Sequence, residues 1–240
     1  MNQNQWQGNG QNGVEPYSYN AGATRTGNPG RLSIRMYGLV LSGLVFAGFA
    51  IMGACASLFA NPAFLIGVME HYGVVSILSF VASIAGLMMM GRARSTESMG
   101  LSLAGYAVFV LSFGFTTSIL LLAYPVATVS TAFLATAGVT AVFGCLGIAF
   151  PGFFQKIQGV CAAGLFAVIL VQCVMMLFGV STTIVDFIVI AIFCGFIGYD
   201  FHKAMSDEPT MVSAVYNASQ LFLDILNVFV RILSILGRRD

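Results

Sequence analysis

Ser213-Ala-Val-Tyr-Asn217-Ala-Ser-Gln220-Leu-Phe-Leu-Asp224-Ile-Leu-Asn227-Val-Phe-Val-Arg231-Ile-Leu-Ser234-Ile-Leu-Gly237 is the stretch whose reading decides the fold. As a helix it is long and apolar enough to cross a bilayer, for which about 20 residues suffice. Yet it carries Ser213, Asn217, Gln220, Asp224, Asn227, Arg231 and Ser234, at steps that alternate between four and three. On a helix that spacing gathers the polar groups into one stripe, with Leu, Ile, Val and Phe over the rest of the surface. A carboxylate or a guanidinium left in lipid costs several kcal/mol, so the stripe must face protein, or water held by protein. The other apolar segments are therefore expected to wrap this helix. A surface amphipathic helix is the competing reading, but the apolar arc is too wide for a helix lying among headgroups.

Working outward, the rest of the chain supplies what would do the wrapping. Of the 240 residues 58% are hydrophobic and only 8% are charged, against about 25% in an ordinary soluble domain. The expected fold is all-α: a polytopic membrane protein, a seven-transmembrane-helix bundle with the polar-striped C-terminal helix at its centre. Apolar runs at residues 36–58, 73–91, 102–123, 127–149, 159–179 and 183–201 precede the striped segment. Ala123-Tyr124-Pro125-Val126 and Phe178-Gly179-Val180-Ser181-Thr182 are short links, which force neighbouring helices antiparallel. Gly43, Ala47, Gly138, Gly144, Gly147, Gly195 and Gly198 lie inside the spans, where small residues let backbones approach.

Residues 1–30 are Asn, Gln, Gly, Ser and Thr with hardly an aliphatic side chain, and are expected to be a disordered cytosolic tail, with residues 31–240 forming the membrane domain. No signal peptide is read in the opening residues, so the first span is expected to direct insertion. Net charge is +1, which gives no basic surface for nucleic acid. Cys55, Cys145, Cys161, Cys173 and Cys194 sit in apolar runs without a C-x-x-C pair and read as buried hydrophobes rather than disulfides or metal ligands. Arg25, Arg31, Arg35, Arg92, Arg94, Lys156 and Lys203 fall in alternate connections, which puts the N-terminus inside. Arg238 and Arg239 would then be carried outward, against that rule. The segment's length favours crossing over re-entry. A bacterial plasma membrane is the expected location.

Two acids carry the chemistry. Asp200 closes the sixth run in Ile197-Gly198-Tyr199-Asp200, and Asp224 sits in the middle of the seventh segment, with a hairpin turning near Pro209 between them. A symmetric turn would leave them six residues apart in height, roughly 9 Å of helix rise, so they meet only if the residues just after Pro209 are not yet helical. If they do meet in a dry site, both cannot readily stay ionised, and the pair shares a proton and titrates as a unit. Arg92 or Arg94, at the inner end of the second span, is a candidate charge partner. In the alternative, Asp200 caps a helix end in water and Asp224 pairs with Asn227 or Arg231. Asp186 is a third intramembrane acid; it is read as reaching interfacial water by snorkelling rather than as an outer cation mouth. Glu70, His71 and His202 read as loop residues.

The run Asn217–Gly237, preceded by Gly198-Tyr199-Asp200, resembles the closing signature of the Bax inhibitor-1 family, the transmembrane Bax inhibitor motif proteins, in which a Tyr-Asp ends one helix and a Leu-Tyr-Leu-Asp-Phe-Ile-Asn-Leu-Phe-like helix follows. Gly114–Tyr124 with Ala132-Phe133-Leu-Ala-Thr136-Ala137 is similar to the family's third and fourth helices. The resemblance implies a seven-helix bundle around the polar helix, acting as a pH-sensitive calcium leak. It carries the family's paired aspartates onto Asp200 and Asp224, its second-helix arginine onto Arg92 or Arg94, and its late arginine onto Arg231. The chain departs in having Ile225 and Phe222 beside Asp224.

The leading expectation is thus a passive, proton-gated leak for cations, calcium first among them, since hard cations seek carboxylate oxygen. No cofactor or resident metal is expected; calcium enters as the permeant ion, and the bilayer and a membrane protein partner are the remaining expected contacts. The alternative is a non-conducting membrane regulator of a protease or of stress and cell-death machinery. Tyr199-Asp200 imitates half of an intramembrane aspartyl protease motif, but Leu221-Phe222-Leu223-Asp224 lacks the glycines of the other half. Phosphate loops, serine triads and histidine metal motifs do not occur, so no enzyme is expected.

Overall fold

The computed structural model describes residues 30–59, 61–178 and 183–238, so the expected disordered tail lies outside the described residues except for Gly30. Eight helices follow in order: α1 Ile34–Leu58, α2 Pro62–Glu70, α3 Tyr72–Thr96, α4 Met99–Leu121, α5 Val126–Ala149, α6 Pro151–Phe178, α7 Thr183–Ser206 and α8 Met211–Gly237. All but α2 are long and apolar enough to cross a membrane. The chain is an all-α integral membrane bundle.

Local chemistry sets the ends of these helices. Ser33, Asn61, Ser98 and Thr210 each accept a hydrogen bond from a backbone N–H in the first turn that follows them, satisfying donors a helix start leaves unpaired. Pro62 opens α2, where its missing N–H removes nothing. Glu97 ends α3 in the left-handed conformation at φ 51°, which allows the tight turn into α4. Two elements differ from the expectation. A short helix, α2, occupies what reads as a loop, and α6 starts at Pro151, eight residues before the apolar run. Gln155, Lys156 and Gln158 interrupt the hydrophobic pattern there without interrupting the helix.

Successive spans alternate in direction, so the starts of α1, α4, α6 and α8 share one end of the bundle. That end is called the near end and the opposite one the far end. α8 packs against α1, α3, α4, α5 and α7, while α6 packs chiefly on α7. Every residue of α8 is buried or half-buried. Phe222 anchors it, with ring centroids 5.1 Å from Phe49 and 6.2 Å from Phe109.

Close approach at small residues holds the surrounding helices. A Cβ on Gly86 would lie 2.7 Å from the Gly105 carbonyl oxygen, and one on Gly105 would lie 2.8 Å from that of Gly86, so α3 and α4 are in backbone contact. Gly147 of α5 rests in the same way on Gly198 of α7. Gly43 and Gly138, expected at packing seams, instead face open space.

Candidate functional site

Asp200 and Asp224 face each other in the α7–α8 hairpin, close enough for each carboxyl to act on the other. Asp224 is 6% exposed, and its Oδ2 finds no N–H or O–H donor among the described residues. A proton held between the two carboxyls would satisfy that oxygen; two carboxylates would leave it unpaired beside a like charge. Lys203, one turn beyond Asp200 on α7, is the cation close enough to act on both acids.

The route by which they meet differs from the expectation. α8 is already helical at Met211, so Thr210 alone separates Pro209 from the helix. Asp224 lies thirteen residues into α8, and Asp200 six residues before the end of α7. Levelling the two requires α8 to begin roughly 10 Å further out than α7 ends. The linker Asp207–Thr210 takes up this offset, with Thr210 extended at φ −109° and ψ 160°. The segment before α1 holds the linker in place: Leu32 N–H donates to the Pro209 carbonyl at 2.7 Å, and Arg31 pairs with Glu208 at 3.2 Å.

None of the three candidate arginines reaches the aspartate pair. Arg94 Nη2 donates to both carboxylate oxygens of Asp207, at 3.0 and 2.8 Å, and its guanidinium stacks 4.8 Å over the Tyr216 ring. Arg92 lies on the opposite side of α3 and is exposed. Asp207 also accepts from Asn217 Nδ2 at 3.0 Å, and the same amide reaches the Tyr37 hydroxyl at 2.9 Å. The outcome is a polar knot at the near end that joins α1, α3, the linker and α8. Sequence reasoning missed Asp207 and Tyr37. For Arg94 a signal exists: it continues the inward face of Gly86 and Met90, whereas Arg92 does not.

Arg231 is engaged at the other end of the stripe. Its Nη1 donates to Asp186 Oδ1 at 2.9 Å and its Nη2 to Gln172 Oε1 at 3.3 Å. Arg238 meets Asp186 Oδ2 at 3.0 Å. Asp186, expected to snorkel into interfacial water, is 0% exposed. Two guanidiniums, Arg231 on α8 and Arg238 at its C-terminal cap, satisfy it, so it has no need of water. His202 is also engaged, with its Nε2 2.8 Å from Gln155 Nε2.

Of the remaining stripe residues, Gln220 is half-buried, and Asn227 Nδ2 donates to the Leu223 carbonyl of its own helix at 2.8 Å. Asn227 and Arg231 line a cavity of about 330 Å³ between α3, α4 and α8. Among the described residues no three His, Cys, Asp or Glu side chains gather as a metal site.

Residues 31–240 match the family model described as Inhibitor of apoptosis-promoting Bax1. An uncharacterized membrane protein of Streptococcus pyogenes serotype M3 is 28% identical over 183 residues, 72% of this chain and 76% of the relative. An uncharacterized protein of Deinococcus radiodurans is 30% identical over 209 residues, 81% of this chain and 87% of the relative. Because the match takes in all eight helices and both aspartates of the hairpin, the chain belongs to the Bax inhibitor-1 family of integral membrane proteins.

Proposed function

We propose that this protein is a passive leak for cations, calcium among them, whose conducting state is set by the proton shared between Asp200 and Asp224. The observation that carries this reading is the facing pair itself: two acids, one of them buried, inside a membrane-spanning hairpin. Among the described residues, the charges acting on the pair are each other and Lys203. With one shared proton the carboxyls bridge α7 to α8. When the proton leaves, two like charges lie side by side in a site of low dielectric and push the helices apart. Protonation therefore biases a closed packing against an open one without any covalent step. The Arg94–Asp207 contact gives α3 a share in that movement, because Asp207 sits in the linker that sets the height of α8. The N-terminus lies on the cytoplasmic side of a bacterial plasma membrane in this reading, with the cationic near end inward.

The test is calcium uptake into proteoliposomes from mildly acid to mildly alkaline pH, comparing the wild type with Asp200→Asn and Asp224→Asn. Uptake that varies with pH in the wild type and loses that variation in either variant supports the reading. Absence of uptake at every pH, from protein that elutes as a folded species, would replace it with a non-conducting regulator.

A further inference from the structure

The cavity between α3, α4 and α8 is walled by hydroxyls that three helices present in register. Ser76, Ser79 and Ser83 follow one face of α3, and Ser112 and Thr116 lie a turn apart on α4. Asn227 closes it on α8, one turn from Asp224 along the polar stripe. Most of these groups have already spent their hydrogens. Ser83 Oγ donates to the Phe80 carbonyl at 2.7 Å, Ser112 Oγ to that of Val108 at 2.7 Å, and Thr116 Oγ1 to that of Ser112 at 3.0 Å. Asn227 donates one amide hydrogen to the Leu223 carbonyl, which leaves its second N–H and its carbonyl oxygen. Ser76 Oγ is buried and has no hydrogen-bond partner among the described residues. What such a wall offers its interior is chiefly oxygen lone pairs, suited to water and to cations that replace part of their hydration with oxygen.

The wall is also free of acids. Among the described residues no Asp or Glu lines the cavity, and the one charged group there, Arg231, is paired to Asp186. Tight calcium sites are built by counting carboxylates, and a neutral site gives a divalent ion little with which to offset its larger dehydration cost. We infer that this cavity is a transit site for partly hydrated hard cations, held weakly by neutral oxygens alone, and that it passes potassium at least as readily as calcium. The inference rests on the leak reading and adds to it the route and the lack of preference for divalent ions.

The experiment measures potassium efflux and calcium uptake from the same proteoliposomes for the wild type, for Thr116→Val, and for the combined Ser83→Ala, Ser112→Ala, Thr116→Val variant. The removed hydroxyls bond to their own helix backbones, so helix packing is expected to survive, and Thr116→Val alone keeps the test valid if the triple variant misfolds. Potassium flux should equal or exceed calcium flux, and the triple variant should lose about tenfold of both while keeping its pH response. In parallel, Ser112→Cys in a chain whose native cysteines are replaced by alanine should react with a cationic methanethiosulfonate. Wild-type flux of calcium alone, flux unchanged in Thr116→Val and the triple variant, or an unreactive cysteine would overturn the inference while the leak stands. Failure of the wild type to pass either ion would overturn both.

Discussion

Asp186→Asn is the most informative single change at the far end. Asp186 is 0% exposed, and its carboxylate takes Arg231 at 2.9 Å and Arg238 at 3.0 Å, with Ser234 Oγ at 3.5 Å. An amide keeps the shape but removes the charge that balances two guanidiniums. Breaking a fully buried ion pair from one side costs about 3–5 kcal/mol. Here the arginine side chains retain 25% and 39% exposure, so they can turn partly towards water or headgroups, which lowers the expected loss to about 2 kcal/mol. Arg231→Gln alone should cost less, because Asp186 keeps Arg238. The double variant Asp186→Asn, Arg231→Gln should lose less than the sum, with a coupling of about 1–2 kcal/mol. The assay is the unfolding equilibrium of detergent-solubilised protein under sodium dodecyl sulfate titration. A change below about 0.5 kcal/mol for Asp186→Asn, with no coupling, would mean the cluster is solvated and the reasoning wrong.

Three further outcomes are expected. Arg94→Gln should free the hairpin linker, costing about 1–2 kcal/mol and raising protease sensitivity between Asp207 and Thr210; unchanged cleavage there would show that Asn217 and the Arg31–Leu32 segment hold the linker without it. Gly147→Val should abolish the folded state or force α5 off α7, because its Cβ would fall on the Gly198 carbonyl, whereas Gly138→Val, which meets open space, should leave stability within about 0.5 kcal/mol. Similar stability in both would contradict the close seam. Phe222→Ala should cost about 3–5 kcal/mol by removing the fully buried ring between Phe49 and Phe109 from the middle of α8, read from the same titration.

The seven spans and the central place of α8 were legible because both depend on one helix at a time. Length and apolarity mark a span, and a stripe with steps of three and four marks a polar face that lipid will not accept. What was not legible depends on the height of one helix against another. The offset between α7 and α8 is set by four linker residues whose extended path no periodicity announces. That offset decides that Asp224 meets Asp200 and that Arg231 reaches back to Asp186. The burial of Asp186 belongs to the same class: on its own helix it is an acid near a membrane edge, and only α8 supplies the cations that allow it inside. Asp207 reads as a polar turn residue because Arg94 lies 113 positions away in the chain.

The sheathing of α8 also constrains biosynthesis. The helix follows the other six spans in the chain and so leaves the ribosome after them, yet it fills the space that those spans enclose. Until it arrives, Asp186 of α7 stands in the membrane without Arg231. The six earlier spans can pair through their own seams, but they must wait with water or translocation machinery beside Asp186, and closure comes only when α8 slides into its seat. Any pause in synthesis between α7 and α8 leaves a half-built bundle with Asp186 uncompensated, the form that membrane quality-control proteases are best placed to seize.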